Sequence, residues 1–260
     1  MKIIETEAKN LLTKTGIPGA DWVINQYVGC QFNCLYCYAK FMCRFKPGDY
    51  GKWGTWVEAK ANAVELIKDK KIEGRVFMSS VSDPYQPVER EISLTKGILE
   101  NLGKEVNLSI LTKSDLVVRD IDLLKEFENV EVGLTINTFS GKDKTVFEPY
   151  SPPNERRIEA LRELHESGIK TYAFISPIIP GLIDLKKIIE DYRPYADYFI
   201  FELINIRGAG REFLKILNEK YPDSYEIVTD KKRFHTFVKD VERIIDGSDI
   251  KTEGLHIHEQ

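Results

Sequence analysis

The sequence predicts an α/β protein built as a partial (β/α)6 barrel of the TIM type, and three features of the chain predict it. Six short β-rich runs recur along the 260 residues, helical patterns fill the intervals, and every run ends in polar residues or a metal-ligand type. Strands separated by helices need crossover connections and so form a parallel sheet. In such a barrel the functional groups gather at the carboxyl ends of the strands.

The first run, WVINQYV at 22–28, ends in Gly29 and Cys30. A helical pattern at 56–70 follows, with Val57, Ala61, Val64 and Ile67 on one face. The run at 75–80 leads into Ser79 to Asp83 and a helix at 92–102. The run at 106–112 ends in Thr112, Lys113 and Ser114 before a helix at 120–127, and the run at 130–137 ends in Thr135, Ile136 and Asn137 before a helix at 154–167. The run at 170–176 stops at Ser176 and Pro177 before a helix at 185–192, and the last, at 197–204, is followed by Asn205 and Arg207 and contains Glu202. Residues 1–20 then form an N-terminal extension, 21–210 the barrel, and 211–260 a helical C-terminal extension packed on it. KKRFHTFVKDVERII, from Lys231, is a closing helix; His256 and His258 have metal-ligand chemistry, but a disordered end is expected there.

A hydrophobic fraction of 42% supplies a sizeable core. No apolar run reaches the ~18 residues of a membrane span. The charged start MKIIETEAKNLL is unlike a signal peptide, so a cytoplasmic location is expected and no membrane partner. The net charge of −4 argues against a protein that coats a phosphate backbone, while leaving room for a local basic patch. Four cysteines are too few for a disulfide scaffold, so their clustering points to metal binding or catalysis.

Cys30, Cys34 and Cys37 are spaced C-x3-C-x2-C, offsets that bring side chains onto one face of a turn or short helix. Thiolates bind both zinc and iron–sulfur clusters. Structural zinc asks for four protein ligands, and the fourth would have to be Cys43 or a distant His256 or His258. That arrangement would make the chain a zinc-stabilised binding protein. Three ligands with one position open suit a catalytic site instead.

The cysteine spacing, with an aromatic residue directly before the last cysteine, resembles the radical S-adenosylmethionine (SAM) superfamily. The segments INQYVGCQFNCLYCYAKF, SSVSDPYQPVE, LTKS, FEPYSPPNERRIEAL and ISPIIPG, within 24–181, resemble its spore photoproduct lyase-like branch. The resemblance implies that Cys30, Cys34 and Cys37 hold three irons of a [4Fe-4S] cluster whose fourth iron chelates SAM. It also implies reductive cleavage of SAM to a 5′-deoxyadenosyl radical, fed by a low-potential donor such as ferredoxin or flavodoxin, and hydrogen abstraction from a substrate.

Further roles follow from the resemblance. Tyr36 and Tyr38 flank the last cysteine, with Tyr38 backing the adenine or the cluster. Ser82 and Asp83 receive the SAM ammonium, and Lys113 balances its carboxylate. Thr135 and Asn137 bond the ribose or carboxylate, Glu148 and Arg157 belong to the glutamate, turn and arginine stretch of this branch, and Ile178 and Ile179 offer adenine an apolar shelf. The lyase itself uses a further cysteine as hydrogen donor just before its Ser-Asp pair. Val81 stands there in this chain, so the donor would have to be Cys43 or Tyr85.

KFMCRFKPGDYGKWGTW, from Lys40, interleaves Lys40, Arg44, Lys46 and Lys52 with Phe41, Phe45, Tyr50, Trp53 and Trp56. Cations and stacking rings together suit a flipped or single-stranded nucleotide, and a damaged base is the cheapest to extrude. A peptide or small metabolite is the alternative substrate. Glu202, Asn205 and Arg207 are the residues expected to face it.

Overall fold

The computed structural model describes residues 1–258. Its strands in chain order are β1 Lys2–Thr6, β2 Leu12–Lys14, β3 Trp22–Ile24, β4 Tyr27–Val28, β5 Trp56–Lys60, β6 Arg75–Met78, β7 Asn107–Thr112, β8 Val130–Ile136, β9 Lys170–Ile178, β10 Tyr198–Leu203 and β11 Thr252–His256. The helices are α1 Ala63–Ile67, α2 Glu89–Ile92, α3 Leu94–Asn101, α4 Ile121–Leu124, α5 Gly141–Phe147, α6 Asn154–Glu166, α7 Leu185–Tyr192, α8 Ile206–Lys220, α9 Pro222–Thr229 and α10 Lys231–Asp246. None of them is long and apolar enough to cross a membrane.

Eight strands form one sheet in the order β11-β10-β9-β8-β7-β6-β3-β2, and only the β2–β3 pair is antiparallel. The six predicted runs are its parallel core, β3 and β6 to β10. Among the described residues the edge strands β2 and β11 do not pair with each other. Its strands are apolar on both faces because helices cover it; Val76, Met78, Leu108, Ile110, Val132, Leu134, Ala173, Ile175, Phe199 and Phe201 are all buried.

Three expectations are corrected. Residues 56–60 are strand β5, which joins a second sheet in the order β1-β5-β4, and only 63–67 are helical. The helical period seen at 57, 61, 64 and 67 is real for the later residues, but ladders on both sides of β5 capture the earlier ones. The first run also divides: Asn25 and Gln26 leave the sheet to bond Ser80 and Thr95, so β3 and β4 belong to different sheets. The chain end expected to be disordered adds β11 to the edge of β10, with Glu202 opposite His256. Residues 1–20 supply a strand to each sheet.

The amino ends of the strands are tied by Glu131 on β8. It accepts bonds from Arg75 of β6, Ser109 of β7 at 3.0 Å, Lys170 of β9 at 3.0 Å and Tyr198 of β10 at 2.9 Å. Tyr172 stacks on Tyr198 with ring centroids 5.1 Å apart and covers Gly133, where a Cβ would lie 2.1 Å from the ring. Burial works to raise the Glu131 carboxyl, yet Lys170, Arg75, Tyr198 and Ser109 hold it below its ordinary 4.5. With the folded-state value below the unfolded one, the stabilisation is complete above the unfolded value and disappears as pH falls through the folded one. Glu131→Gln is expected to lower stability by about 1–3 kcal/mol at neutral pH. Urea unfolding should also show the mutant losing less stability than wild type as pH drops below 4.5; parallel acid limbs would contradict this role.

Candidate active site

Cys30, Cys34 and Cys37 follow β4 in a chain of turns, and a 3-10 helix, Tyr38–Phe45, begins only after the third. Two sharp features bend the loop. Gly29 has φ of 89°, and a Cβ there would meet the Trp56 carbonyl at 2.7 Å; Asn33 takes φ of 50° and lies over Gly54, where a Cβ would come within 2.2 Å of it. The turns close through Asn33 N to Cys30 O and Cys37 N to Cys34 O at 3.2 Å, and Leu35 N donates to Phe147 O at 2.9 Å. All three thiols are free, with Cys30 and Cys34 buried and Cys37 partly so. Burial pushes the Cys30 thiol up, followed by Asp83, Cys34 and Cys37; burial likewise brings Cys34 to about 12, with Glu148 adding and Lys113 opposing. The thiols are therefore near enough to repel one another as thiolates. Lys113 and Lys40 are the cations that offset Cys37.

The loop after β6 is fastened to this turn. Ser82 Oγ donates to Gly29 O at 2.8 Å and accepts from Gln86 Nε2 at 2.7 Å. Gln86, fully buried, also accepts from Gln31 N at 2.8 Å. Asp83 accepts from Thr112 Oγ1 at 2.6 Å, Lys113 N at 2.8 Å and Tyr85 N at 2.9 Å. Its bond to Tyr85 is a turn of the kind Asp-Pro sequences form. Burial still raises its carboxyl, outweighing the bonds from Thr112, Lys113 N and Tyr85 N and the nearby Lys113 cation.

Glu148, just after α5, is the hub on the other side of the loop. It is buried and accepts from Arg157, Tyr36, Asn137 Nδ2 at 2.8 Å and Ser151 Oγ at 2.8 Å. Burial works to raise its carboxyl, but Arg157 and Lys113, with bonds from Arg157 and Tyr36, hold it down at about 2. Arg157 on α6 is wholly buried, not solvated, and also donates to Thr135 O at 2.9 Å and Pro152 O at 3.0 Å. The Lys113 ammonium lies 5.7 Å from the Tyr36 ring centre.

Other expected residues fall elsewhere. Thr135 enters through its carbonyl, and Asn137 is committed to Glu148 and to Phe139 N at 3.1 Å. Ile178 and Ile179 are each 1% exposed and packed in two different hydrophobic clusters, so the adenine shelf is closed by the chain's own side chains. Tyr85 is fully buried with Arg119 6.0 Å from its ring centre, and burial, then Asp120 and Glu89, raise its hydroxyl. It offers a substrate no approach, which removes it as hydrogen donor. Cys43 is partly buried on the 3-10 helix, against the cluster that contains Cys30 and Cys34. Gln31, Gln86 and Ser151 join the site without a sequence signal beyond their places after Cys30, before Pro87 and before Pro152.

Beside the thiol loop, the 3-10 helix and the start of α8 enclose a groove of about 520 Å³ lined by Tyr38, Phe41, Arg44, Asn205, Arg207 and Arg211. Tyr38, Phe41 and Phe45 are exposed, whereas Trp53 and Trp56 are core. Lys46 is paired with Glu58 at 2.6 Å and Lys40 caps Leu35 O at 2.7 Å.

Among the described residues no three His, Cys, Asp or Glu side chains converge as the ligands of one metal ion. Crowded thiols with raised pKa values need positive charge to become thiolates. The donor set fits an iron–sulfur cluster, in which each thiolate takes its own iron. Residues 24–193 match the family model of the radical SAM superfamily. The chain belongs to the radical SAM superfamily. As in that superfamily, its cofactors are a [4Fe-4S] cluster and SAM. An uncharacterised protein of Methanocaldococcus jannaschii is 52% identical over 258 residues, 99% of this chain and 98% of that protein. A radical SAM Nα-GlyT isomerase of Pseudomonas phage M6 is 26% identical over 171 residues, 62% of this chain and 34% of the phage protein. Spore photoproduct lyase, solved with a dinucleoside spore photoproduct, shares the fold with a TM-score of 0.66 and 16% identity, covering 97% of this chain and 82% of the lyase.

Removing Arg157 leaves the Glu148 carboxylate buried without its cation. Arg157→Ala is expected to cost about 3–5 kcal/mol in chemical denaturation of the cluster-free protein. A loss under about 1 kcal/mol would mean that the pair is not the internal tie described.

Proposed function

We propose that this radical SAM enzyme acts on a nucleic acid lesion or nucleotide, with Cys30, Cys34 and Cys37 holding the cluster. When bound, the cluster and SAM supply a 5′-deoxyadenosyl radical that takes a hydrogen atom from the substrate. The protein's task is to aim and to exclude water. Asp83 and Ser82 receive the SAM ammonium, for which a buried carboxylate with little cationic company is suited. Lys113 stands at the SAM carboxylate. Glu148 and Arg157, through Tyr36 and Asn137, hold the thiol loop against the strand ends. Ferredoxin or flavodoxin is the electron donor.

The substrate class rests on the groove beside the thiol loop, where arginines alternate with exposed rings. Such a surface grips phosphates and stacks bases together. The solved lyase of this fold holds a dinucleoside photoproduct, which supports the same class. Val81 stands where the resemblance places that enzyme's hydrogen donor; Cys43, partly buried against the hydrophobic cluster that contains Cys30 and Cys34, takes that role in our reading.

Two experiments test the proposal. Anaerobic reconstitution with iron and sulfide should give a brown protein. Alanine at Cys30, Cys34 or Cys37 should reduce bound iron and sulfide to background, whereas Cys43→Ala should retain both; retention in the first three would defeat the ligand assignment. In the second, reduced wild-type enzyme with SAM should release more 5′-deoxyadenosine when ultraviolet-damaged oligonucleotide is added. Phe45→Ala, at a side chain 71% exposed, should weaken oligonucleotide binding by about 1–3 kcal/mol without destabilising the fold. Stimulation by peptides and not by oligonucleotides would refute the substrate class.

A further inference from the structure

The open edge of the sheet carries a second constellation that the cofactor reading leaves unused. Glu202 stands at the carboxyl end of β10, and both its oxygens are engaged. Ser176 Oγ of β9 donates to Oε2 at 2.5 Å, and His258 Nε2, two residues past the end of β11, lies 2.9 Å from Oε1. Serine, carboxylate and imidazole suggest a hydrolytic triad, but the order is wrong. The serine bonds the carboxylate and not the imidazole, so no base is available to activate it.

The pair is not explained by stability either. The side chains of Glu202 and His258 are 28% and 31% exposed, and an ion pair so near water contributes little. Its position is better explained by ligand binding, because it lies at the strand ends where ligands sit in such folds. Tyr38 links it to the thiol loop: both the Cys37 thiol and the Glu202 carboxylate lie near enough to act on the Tyr38 hydroxyl, and Tyr38 and Asn205 also line the basic groove. Ser176 fixes the plane of the carboxylate, the carboxylate fixes the imidazole as an Nε2 donor, and among the described residues Nδ1 has no hydrogen-bond partner.

We infer that His258 is a substrate-contacting residue, held by Glu202 so that its Nδ1–H grips a phosphate oxygen of the substrate at the mouth of the groove. The inference rests on the nucleotide reading above. It gives β11 a purpose, since closing the edge of β10 carries this imidazole to the site. Among the described residues, Glu202 of β10 faces His258 and Tyr38 of the 3-10 helix faces Glu202, with the Ser176 hydroxyl behind the carboxylate. The bond to Glu202 raises the imidazole above its ordinary 6.5, with partial burial opposing. Protonated, Nδ1 is a donor; once pH rises past the raised value it becomes an acceptor and the grip is lost.

The test uses reconstituted holoenzyme, a fluorescent single-stranded oligothymidylate and anisotropy from mildly acidic to alkaline pH. Wild type should lose about tenfold in affinity as pH rises through the His258 titration, the equivalent of one charged hydrogen bond. His258→Gln should bind at the weak alkaline level at every pH. Glu202→Gln should move the wild-type transition to lower pH, and unchanged thermal unfolding of both variants would show that β11 stays docked. A His258→Gln variant with wild-type affinity and pH profile overturns the inference. Inorganic phosphate is the second probe, read in the His258 imidazole resonances by NMR. If wild type binds no oligonucleotide but those resonances respond to phosphate, the nucleotide reading fails and the His258 assignment stands. Resonances indifferent to phosphate defeat the assignment whatever the oligonucleotide does.

Discussion

The Glu148 carboxylate is buried beside the thiol loop, and it stays ionised there chiefly because Arg157 is buried with it, with Lys113 and the Tyr36 bond adding to the effect. Much of the site depends on that constraint. A buried pair is costly to assemble and costlier to break, so its partners are held to one arrangement. Through Tyr36 the pair holds the thiol loop, through Asn137 the end of β8, and through the Arg157 bond to Thr135 O the same strand's backbone. The opposite flank is fixed by bonds from Ser82 and Gln86 to Gly29 O, and by bonds that the Asp83 carboxylate accepts from Thr112 Oγ1 and Lys113 N at the end of β7. The loop that presents three thiols is thus gripped from both sides by strand ends.

The two ends of the sheet divide the work by charge. At the amino end Glu131 draws four strands together and touches nothing a substrate would need. At the carboxyl end lie thiols that repel one another, a carboxylate raised by burial, and a groove lined by arginines and exposed rings. The substituents on one scaffold, and not the scaffold, carry the chemistry.

Six core strands and most of the helices were legible because parallel strands are apolar throughout and helices keep their period; α7 lies at 185–192 as predicted. Residues 56–60 were not, since a five-residue run carries too little periodicity to tell strand from helix, and its partners β1 and β4 are distant or too short to recognise. The edge strand β11 has no apolar alternation and exists because β10 offers a free ladder. In the site, cysteine spacing gave the thiols directly. The burial of Arg157 could not be read from an ERR triplet at a helix start, which usually faces water, and Tyr85 looked available only because its loop is functional. Pairings across more than a hundred residues, such as Tyr36 with Glu148, leave no local trace at all.

The central claim is that three thiolates leave one iron of the cluster free for SAM. Electron paramagnetic resonance of the reduced, anaerobically reconstituted protein tests it most directly. On this account the cluster signal shifts when SAM is added, and shifts equally in Cys43→Ala. A signal that ignores SAM in wild type but responds once Cys43 is removed would mean that the fourth position is taken by the protein, and would contradict the account.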